Sequence, residues 1–150
     1  MTRATADDVN TRFRIGIVGH GFVGQAVEYA FMHPLVDFNY YDPKYDTDLD
    51  TLKDLPADRH PKCFFICAPT PSNDDGSVDS SIVEASVVKC LHYTDALVVV
   101  KSTITPESID RLYSAMSREQ VDRFVYNPEF LTEKNAKADF VGAKFHVIGG

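Results

Sequence analysis

Residues 13–24 read FRIGIVGHGFVG, an apolar run that leads directly into three closely spaced glycines. The apolar run is typical of a short strand that ends at Gly19. From Gly21 onward, apolar residues recur at helical spacing until His33-Pro34, a pair that predicts the end of a helix. This stretch therefore predicts a strand, a tight glycine turn and a helix, which together open a βαβ unit.

Further apolar runs follow, separated by turn residues or by helical patterns. The other predicted strands are residues 36–41, 63–68, 96–100, 123–126 and 145–148. Helices are predicted near Ser81, which forms a capping-box pattern with Glu84, and from Thr105-Pro106. Because parallel strands need crossover connections, the alternation predicts an α/β fold: a Rossmann-like doubly wound parallel sheet of about six strands with flanking helices. The polar connection between residues 42 and 63 has little room for a full helix.

Length, charge and hydrophobicity limit the number of domains and the classes of partner that the chain can have. At 150 residues and 44% hydrophobic composition, it has the size of one domain. We expect residues 1–12 to be a polar leader and residues 13–150 to form a dinucleotide-binding domain. A net charge of -7 argues against nucleic acid or an anionic membrane surface as a partner. No apolar run is long enough to span a membrane, so we expect a cytoplasmic protein.

The glycine turn has the spacing of a dinucleotide-binding motif. Residues 19–24 fit G-x-G-x-x-G between a strand and a helix, where glycines allow close approach of a pyrophosphate to the helix N-terminus. Asp42 ends the second strand, where an acid can accept hydrogen bonds from the adenosine ribose and repel a 2′-phosphate. NAD is therefore favoured over NADP, although Lys44 weakens the preference. The alternative is a turn that serves packing alone, and the side chain of His20 is expected to face solvent.

Polar residues follow the ends of several predicted strands. Thr70, Thr103 and Glu129 come at the edge where open α/β sheets bind ligands, so a threonine could hold a substrate oxygen and the carboxylate could accept a proton. If the segment after Pro128 is helical, Glu129 and Glu133 share a face. The alternatives are that Glu129 caps or solvates a helix start, and that the Thr103 hydroxyl bonds to backbone.

The sequence gives no indication of a metal site. The three cysteines are Cys63, Cys67 and Cys90, whose spacing fits neither a zinc site nor a disulfide framework, and we expect them to pack as small hydrophobes. The acidic turn at residues 73–79 lacks calcium-loop spacing, because Pro71 and Ile82 would occupy the first and last ligand positions.

Four motifs in order make the chain resemble the N-terminal NAD-binding domain of the UDP-glucose/GDP-mannose dehydrogenase family. The glycine turn is followed by three segments similar to those of the family: CAPTP with DGSVD at residues 67–71 and 75–79, KST at 101–103, and NPEFL at 127–131. The resemblance extends over nearly the whole chain after the leader.

This resemblance implies roles for individual residues. The cofactor NAD would contact the glycine turn, the acid that follows the second strand, the segment after the third strand and one later glutamate: Gly19, Gly21, Phe22, Val23, Gly24, Asp42, Ala68, Pro69, Thr70 and Glu133. Glu133 would contact either the cofactor or the substrate. Thr103 and Glu129 would be catalytic. The implied reaction is oxidation of a nucleotide sugar at C6, of the type that converts UDP-glucose to UDP-glucuronate, in two NAD-dependent hydride transfers.

The chain also departs from the family pattern. Family members are more than twice as long, and their substrate domains, with the cysteine that carries covalent intermediates, are missing here. The connection after Asp42 is short, which puts the neighbouring cofactor contacts in question. The ending at residues 147–150 suggests truncation, so we expect catalysis to need a C-terminal region or a partner chain, and a complete enzyme to be a homo-oligomer. Two alternatives remain open: a non-catalytic dinucleotide-binding module, and a dehydrogenase of another alcohol substrate class, such as a hydroxy acid.

Overall fold

The computed structural model describes residues 12–149, so residues 1–11 of the predicted leader lie outside the described residues. The strands are β1 (Phe13–Val18), β2 (Val36–Tyr41), β3 (Cys63–Ile66), β4 (Leu97–Val100) and β5 (Phe124–Tyr126). The α-helices are α1 (Phe22–Phe31), α2 (Ser81–Tyr93), α3 (Pro106–Ala115), α4 (Arg118–Val121) and α5 (Ala136–Val141). The strands form one parallel sheet in the order β2-β1-β3-β4-β5.

Both faces of this sheet are covered by helices. The four residues of β3 are all buried: Phe64 and Ile66 pack toward α2 and α3, whereas Cys63 and Phe65 lie in a second cluster with Val27 of α1. A strand buried on both faces explains the continuous apolar run in the sequence. The predicted Rossmann-like doubly wound fold is confirmed.

The prediction of a strand at residues 145–148 is wrong, and within residues 12–149 the sheet has five strands instead of six. The residue that follows this segment, Gly149, forms an antiparallel bridge to Tyr126. Phe145 and Ile148 are 72% and 71% exposed. An apolar run becomes a buried strand only where neighbouring elements cover it, and the described residues leave this one uncovered.

Short 3₁₀ helices connect β2 to β3, in agreement with the prediction that this connection has no room for a full helix. They span Pro43–Tyr45, Leu49–Asp54 and Ala57–Arg59. The first two are capped by aspartates: the Asp42 carboxylate accepts from the Lys44 N–H, and the Asp48 carboxylate accepts from the Asp50 N–H. Leu49 and Leu52 of the middle segment are buried against the face that α2 covers.

The sequence predicts the N-terminal cap of α3 correctly, but not that of α2. The prediction of a Ser81–Glu84 capping box is wrong. The carboxylate of Asp79 accepts a hydrogen bond from the Ser81 N–H at 2.9 Å, and the Glu84 carboxylate accepts one from the Ser80 hydroxyl at 2.6 Å. Helix α3 begins as predicted, with the Thr105 hydroxyl accepting from the N–H of Ser108. Within residues 12–149, the helices are too short or too polar to cross a lipid bilayer.

Two glycines of the turn after β1 are required by close backbone contacts. A β-carbon on Gly19, whose φ is +84°, would lie 2.7 Å from the Cys67 carbonyl oxygen. A β-carbon on Gly24 would overlap the Gly19 carbonyl oxygen and contact Ile17. These glycines let the helix α1 and the chain after β3 approach the end of β1, which is the geometry that places a ligand next to the main chain.

Gly24→Ala is expected to lower the free energy of unfolding by about 1–3 kcal/mol, because overlap with backbone outweighs the roughly 1 kcal/mol gain in helix propensity. Urea denaturation measures this difference. Gly21→Ala is the matched control, since no atom lies within 4 Å of its added β-carbon. Equal stability of the two variants would contradict a packing role for Gly24.

Candidate functional site

A cleft of about 510 Å³ opens at the carboxyl ends of the strands. It lies at the point where the strand order reverses direction, because β2 and β3 lie on opposite sides of β1. Ligands of open α/β sheets bind at this switch point. Its lining comes from the first turn of α1 and from the loops after all five strands: Gly19, Gly21, Phe22, Val23, Asp42, Cys67, Ala68, Pro69, Thr70, Lys101, Ser102, Thr103, Glu129 and Leu131.

The glycine turn presents the N-terminus of α1 to this cleft. Gly21 is the N-cap residue, has extended backbone geometry, and provides no side-chain cap. The first turn of α1 carries no acidic residue. The amides at the start of a helix lack intrahelical acceptors and carry a partial positive charge, so this end can bind a pyrophosphate.

Asp42 is held at the end of β2 by two main-chain donors. Its Oδ2 accepts from the N–H of His20 at 2.6 Å, and its Oδ1 accepts from the N–H of Lys44 at 2.8 Å. These two bonds hold the pKa of Asp42 below its usual value. Each oxygen keeps a further lone pair, so an ionised Asp42 can still accept from a ribose diol.

A second cleft of about 530 Å³ adjoins the first, and Gly19, Asp42, Ala68 and Pro69 line both. Its far wall consists of the connection after β2 and the start of α2, including Leu49, Ile82, Ala85, Ser86 and Lys89. The sequence analysis did not identify this cleft, because the residues of its far wall belong to no motif. Two adjoining clefts with Asp42 at their junction fit an extended dinucleotide better than a compact ligand.

A buried ion pair lies at the other end of the first cleft. The ammonium of Lys101 pairs with the Glu129 carboxylate and donates to Asn127 Oδ1 at 2.6 Å. The Lys101 side chain is 1% exposed and that of Glu129 is 10% exposed. Burial lowers the pKa of Lys101 to about 8. The sequence analysis includes Lys101 in the KST segment but assigns it no role in the site. Its position directly after a predicted buried strand is the pattern that could have indicated one.

The structure does not support the alternative roles, which were capping of a helix by Glu129 and a hydrogen bond from Thr103 to the backbone. Thr132 and Asn135 are the N-caps of the helices that follow, so Glu129 caps neither. Thr103 is exposed on the cleft, whereas its neighbour Ser102 donates to the Ala68 carbonyl oxygen at 2.7 Å. The hydroxyl that bonds to backbone at this strand end is therefore that of Ser102.

Most predicted site residues meet in the first cleft, with two exceptions. Gly24 packs under the turn, and the exposed Glu133 lies on a 3₁₀ helix, Glu133–Asn135; neither lines the two clefts. The segment after Pro128 is irregular, so Glu129 and Glu133 do not share a helix face.

The expectation that His20 faces solvent is wrong. Its side chain is 9% exposed because the ring packs on Tyr40 and hydrogen bonds to Tyr45 and Glu28. The Lys44 ammonium, expected to weaken the preference for NAD, lies 5.3 Å from the centroid of the Tyr45 ring, and Lys44 lines neither cleft.

The cysteines have the properties of unreactive thiols. Burial raises the pKa of Cys63 and of Cys67 to about 12 and also raises that of Cys90. Cys67 lines the first cleft, but a thiol with a raised pKa is a poor nucleophile. Over residues 12–149, no three His, Cys, Asp or Glu side chains are grouped to hold a metal ion.

Comparison with known proteins gives a family match. The model of the UDP-glucose/GDP-mannose dehydrogenase family, NAD binding domain, matches residues 44–150. The glycine turn and Asp42 precede that range, so their interpretation depends on the geometry above.

Individual relatives agree with the family match. The UDP-glucose 6-dehydrogenases of Rickettsia bellii (strain RML369-C) and Streptococcus pneumoniae are each 35% identical, over 61% and 63% of this chain and 22% and 24% of their own lengths. The chain thus spans about a quarter of these relatives. A solved GDP-mannose dehydrogenase from Pseudomonas aeruginosa has a TM-score of 0.70 and 22% identity, covering 91% of this chain and 41% of that one, which supports the fold.

Lys101→Met is expected to lower the free energy of unfolding by about 3–5 kcal/mol at neutral pH, because it leaves the Glu129 carboxylate buried without its cation. Urea denaturation of Lys101→Met, Glu129→Gln and the double variant gives the coupling between the two sites. The double variant should lose less than the sum of the single losses. Lys62→Met, at an exposed lysine, is the control. Additive losses would show that the pair is not coupled.

Proposed function

This chain belongs to the UDP-glucose/GDP-mannose dehydrogenase family, and from that membership we propose that it is the NAD-binding part of a nucleotide-sugar 6-dehydrogenase. The reaction proposed for the complete enzyme is oxidation of UDP-glucose or a similar nucleotide sugar to the uronic acid. The observation that carries the proposal is the convergence on one cleft of the glycine turn, Asp42, Thr103 and Glu129.

The residues of the two clefts divide between the halves of the cofactor. Apolar Leu49, Ile82 and Ala85 suit an adenine ring in the second cleft, and Asp42 at the junction accepts from the adenosine ribose. The amides near Gly21 would bind the pyrophosphate. Thr70 and Thr103 would then border the nicotinamide half in the first cleft.

The proposed chemistry of the site is proton transfer and orientation. When bound, NAD supplies the hydride acceptor. The carboxylate of Glu129 accepts a proton or orders a water molecule, and Thr103 hydrogen bonds to a substrate oxygen. The Lys101 ammonium forms an ion pair with the Glu129 carboxylate, which holds this carboxylate at one end of the cleft.

The remainder of the activity is assigned to residues outside this chain. A thiol that forms covalent intermediates needs a lowered pKa. Burial raises the pKa of Cys67, the cysteine that lines the cleft, so this thiol does not fit that role. We therefore propose that the nucleotide sugar and the nucleophile are supplied by a C-terminal region or a partner chain, and that the complete enzyme is a homo-oligomer.

The purified chain is expected to bind NAD, and Asp42→Ala is expected to weaken binding about 10- to 100-fold, since hydrogen bonds to a charged acceptor contribute roughly 1.5–3 kcal/mol. Isothermal titration calorimetry with NAD and NADP measures both affinities. The variant should also discriminate less against NADP, because the repulsive carboxylate is gone. Asp37→Ala, on β2 and outside both clefts, is the control. No binding of NAD by folded protein would refute the proposed function.

The chain alone is expected to give no turnover with UDP-glucose and NAD. Addition of the separately expressed remainder of the Streptococcus pneumoniae relative should produce NADH, followed by its absorbance. In this mixture, Glu129→Gln is expected to lower the rate about 10²- to 10⁴-fold, the usual range for a lost acid-base group, with NAD affinity unchanged.

Turnover by the isolated chain would contradict the assignment of essential groups to another region. Near-normal turnover by Glu129→Gln in the mixture would remove this residue from the chemistry. NAD binding without turnover in the mixture would favour a non-catalytic binding module.

A further inference from the structure

A cluster of four side chains lies behind Asp42 and outside both clefts. This His20 cluster consists of His20 from the glycine turn, Glu28 from α1, Tyr40 from β2 and Tyr45 from the first 3₁₀ helix. The His20 ring lies 4.5 Å from the Tyr40 ring and 5.6 Å from the Tyr45 ring, measured between centroids. The cluster therefore joins four elements that surround the end of β2.

The hydrogen bonds of the cluster fix which ring nitrogen carries the proton. Burial raises the pKa of Glu28, but hydrogen bonds from Tyr40 and His20 outweigh it and the net pKa is lowered, so the carboxylate is an acceptor. Tyr40 donates to its Oε1 at 2.7 Å, and His20 Nε2 lies 2.8 Å from its Oε2. With the ring neutral, Nε2–H donates to Glu28, and Nδ1 accepts from the Tyr45 hydroxyl at 2.6 Å. This assignment gives each of these groups a partner.

The cluster and the hydrogen bonds of Asp42 both connect the glycine turn to the turn that follows β2. The two main-chain donors to the Asp42 carboxylate belong to His20 and Lys44. The side-chain hydrogen bond joins His20 to Tyr45, the residue next to Lys44. A change in the separation of residues 20 and 45 would thus move the two donors relative to each other and reorient the carboxylate between them.

We propose that the hydrogen bond between His20 and Tyr45 positions Asp42 for the adenosine ribose of NAD by fixing the glycine turn against the turn that follows β2. His20 and Tyr45 are positioning residues: they act through Asp42 and line neither cleft. The inference rests on the proposed binding of NAD. Recognition of a diol by a carboxylate depends on placement to a fraction of an ångström, so residues that hold the carboxylate affect affinity without contact.

Tyr45→Phe tests this role with the smallest change. Phenylalanine keeps a ring beside His20, Tyr40 and the Lys44 ammonium and removes only the hydroxyl. NAD affinity is expected to fall about three- to tenfold, which corresponds to the net contribution of one hydrogen bond. Titration of an NAD analogue that lacks the adenosine 2′-hydroxyl should show a change below about twofold, because less of its affinity depends on Asp42.

A double-mutant cycle separates positioning from a general effect on the fold. In the Asp42→Ala background, Tyr45→Phe is expected to cause no further loss of NAD affinity. His20→Ala, which keeps the main-chain donor and removes the ring, should weaken NAD at least as much as Tyr45→Phe does. The matched control is Tyr29→Phe, at an exposed tyrosine of α1 outside the cluster, which should bind NAD like the unmodified chain.

The outcomes distinguish this proposal from the one on which it rests. If the unmodified folded chain does not bind NAD, the proposed function fails. If it binds NAD but Tyr45→Phe binds equally well, only the positioning role is overturned. Equal losses with NAD and with the 2′-deoxy analogue, or the same loss in the Asp42→Ala background, would also overturn it.

Discussion

Close contact between main-chain segments around Gly19 positions the groups at one end of the first cleft. The Gly19 N–H donates to the Tyr41 carbonyl oxygen of β2, and its α-carbon packs on the chain leaving β3. Any side chain at this point would separate the three segments, since a β-carbon would lie 2.7 Å from a carbonyl oxygen. The amides of α1, the carboxylate of Asp42 and the segment from Cys67 to Thr70 meet at one edge because this contact exists.

The electrostatics of the clefts follow from the same arrangement. The chain carries a net charge of -7, so a phosphate-bearing ligand cannot depend on the overall charge for attraction. The groups available to such a ligand are oriented amides at the start of α1. The one lysine that lines the first cleft, Lys101, is paired with Glu129. The proposed phosphate binding and the proposed proton transfer thus lie at different ends of one cleft, and both ends are supported by the same sheet.

Sequence patterns predicted those parts of the structure that depend on local periodicity or on backbone geometry. The glycine turn, the buried strands β3 and β4 and the position of Asp42 were predicted because each leaves a local pattern in the sequence: glycine spacing, a continuous apolar run, or an acid directly after a strand. Features set by distant contacts were not predicted. Ser80 and Glu84 form bonds with Ser108 and Arg111 of another helix, so the local capping pattern at Ser81 was misleading. His20 is buried by Tyr40 and Tyr45, and the second cleft exists only where α2 meets the connection after β2.

The pairing of Lys101 with Glu129 also constrains how this sequence can diverge. Either side chain alone would be a lone ion in an interior that solvates it poorly, so a neutral replacement at one position is tolerated only together with a neutral replacement at the other. Lys101 and Glu129 are separated in the chain, yet substitutions at the two positions are expected to occur together. In a collection of natural variants, joint loss of both charges would therefore mark lineages without the proposed proton transfer, even where the glycine turn was intact.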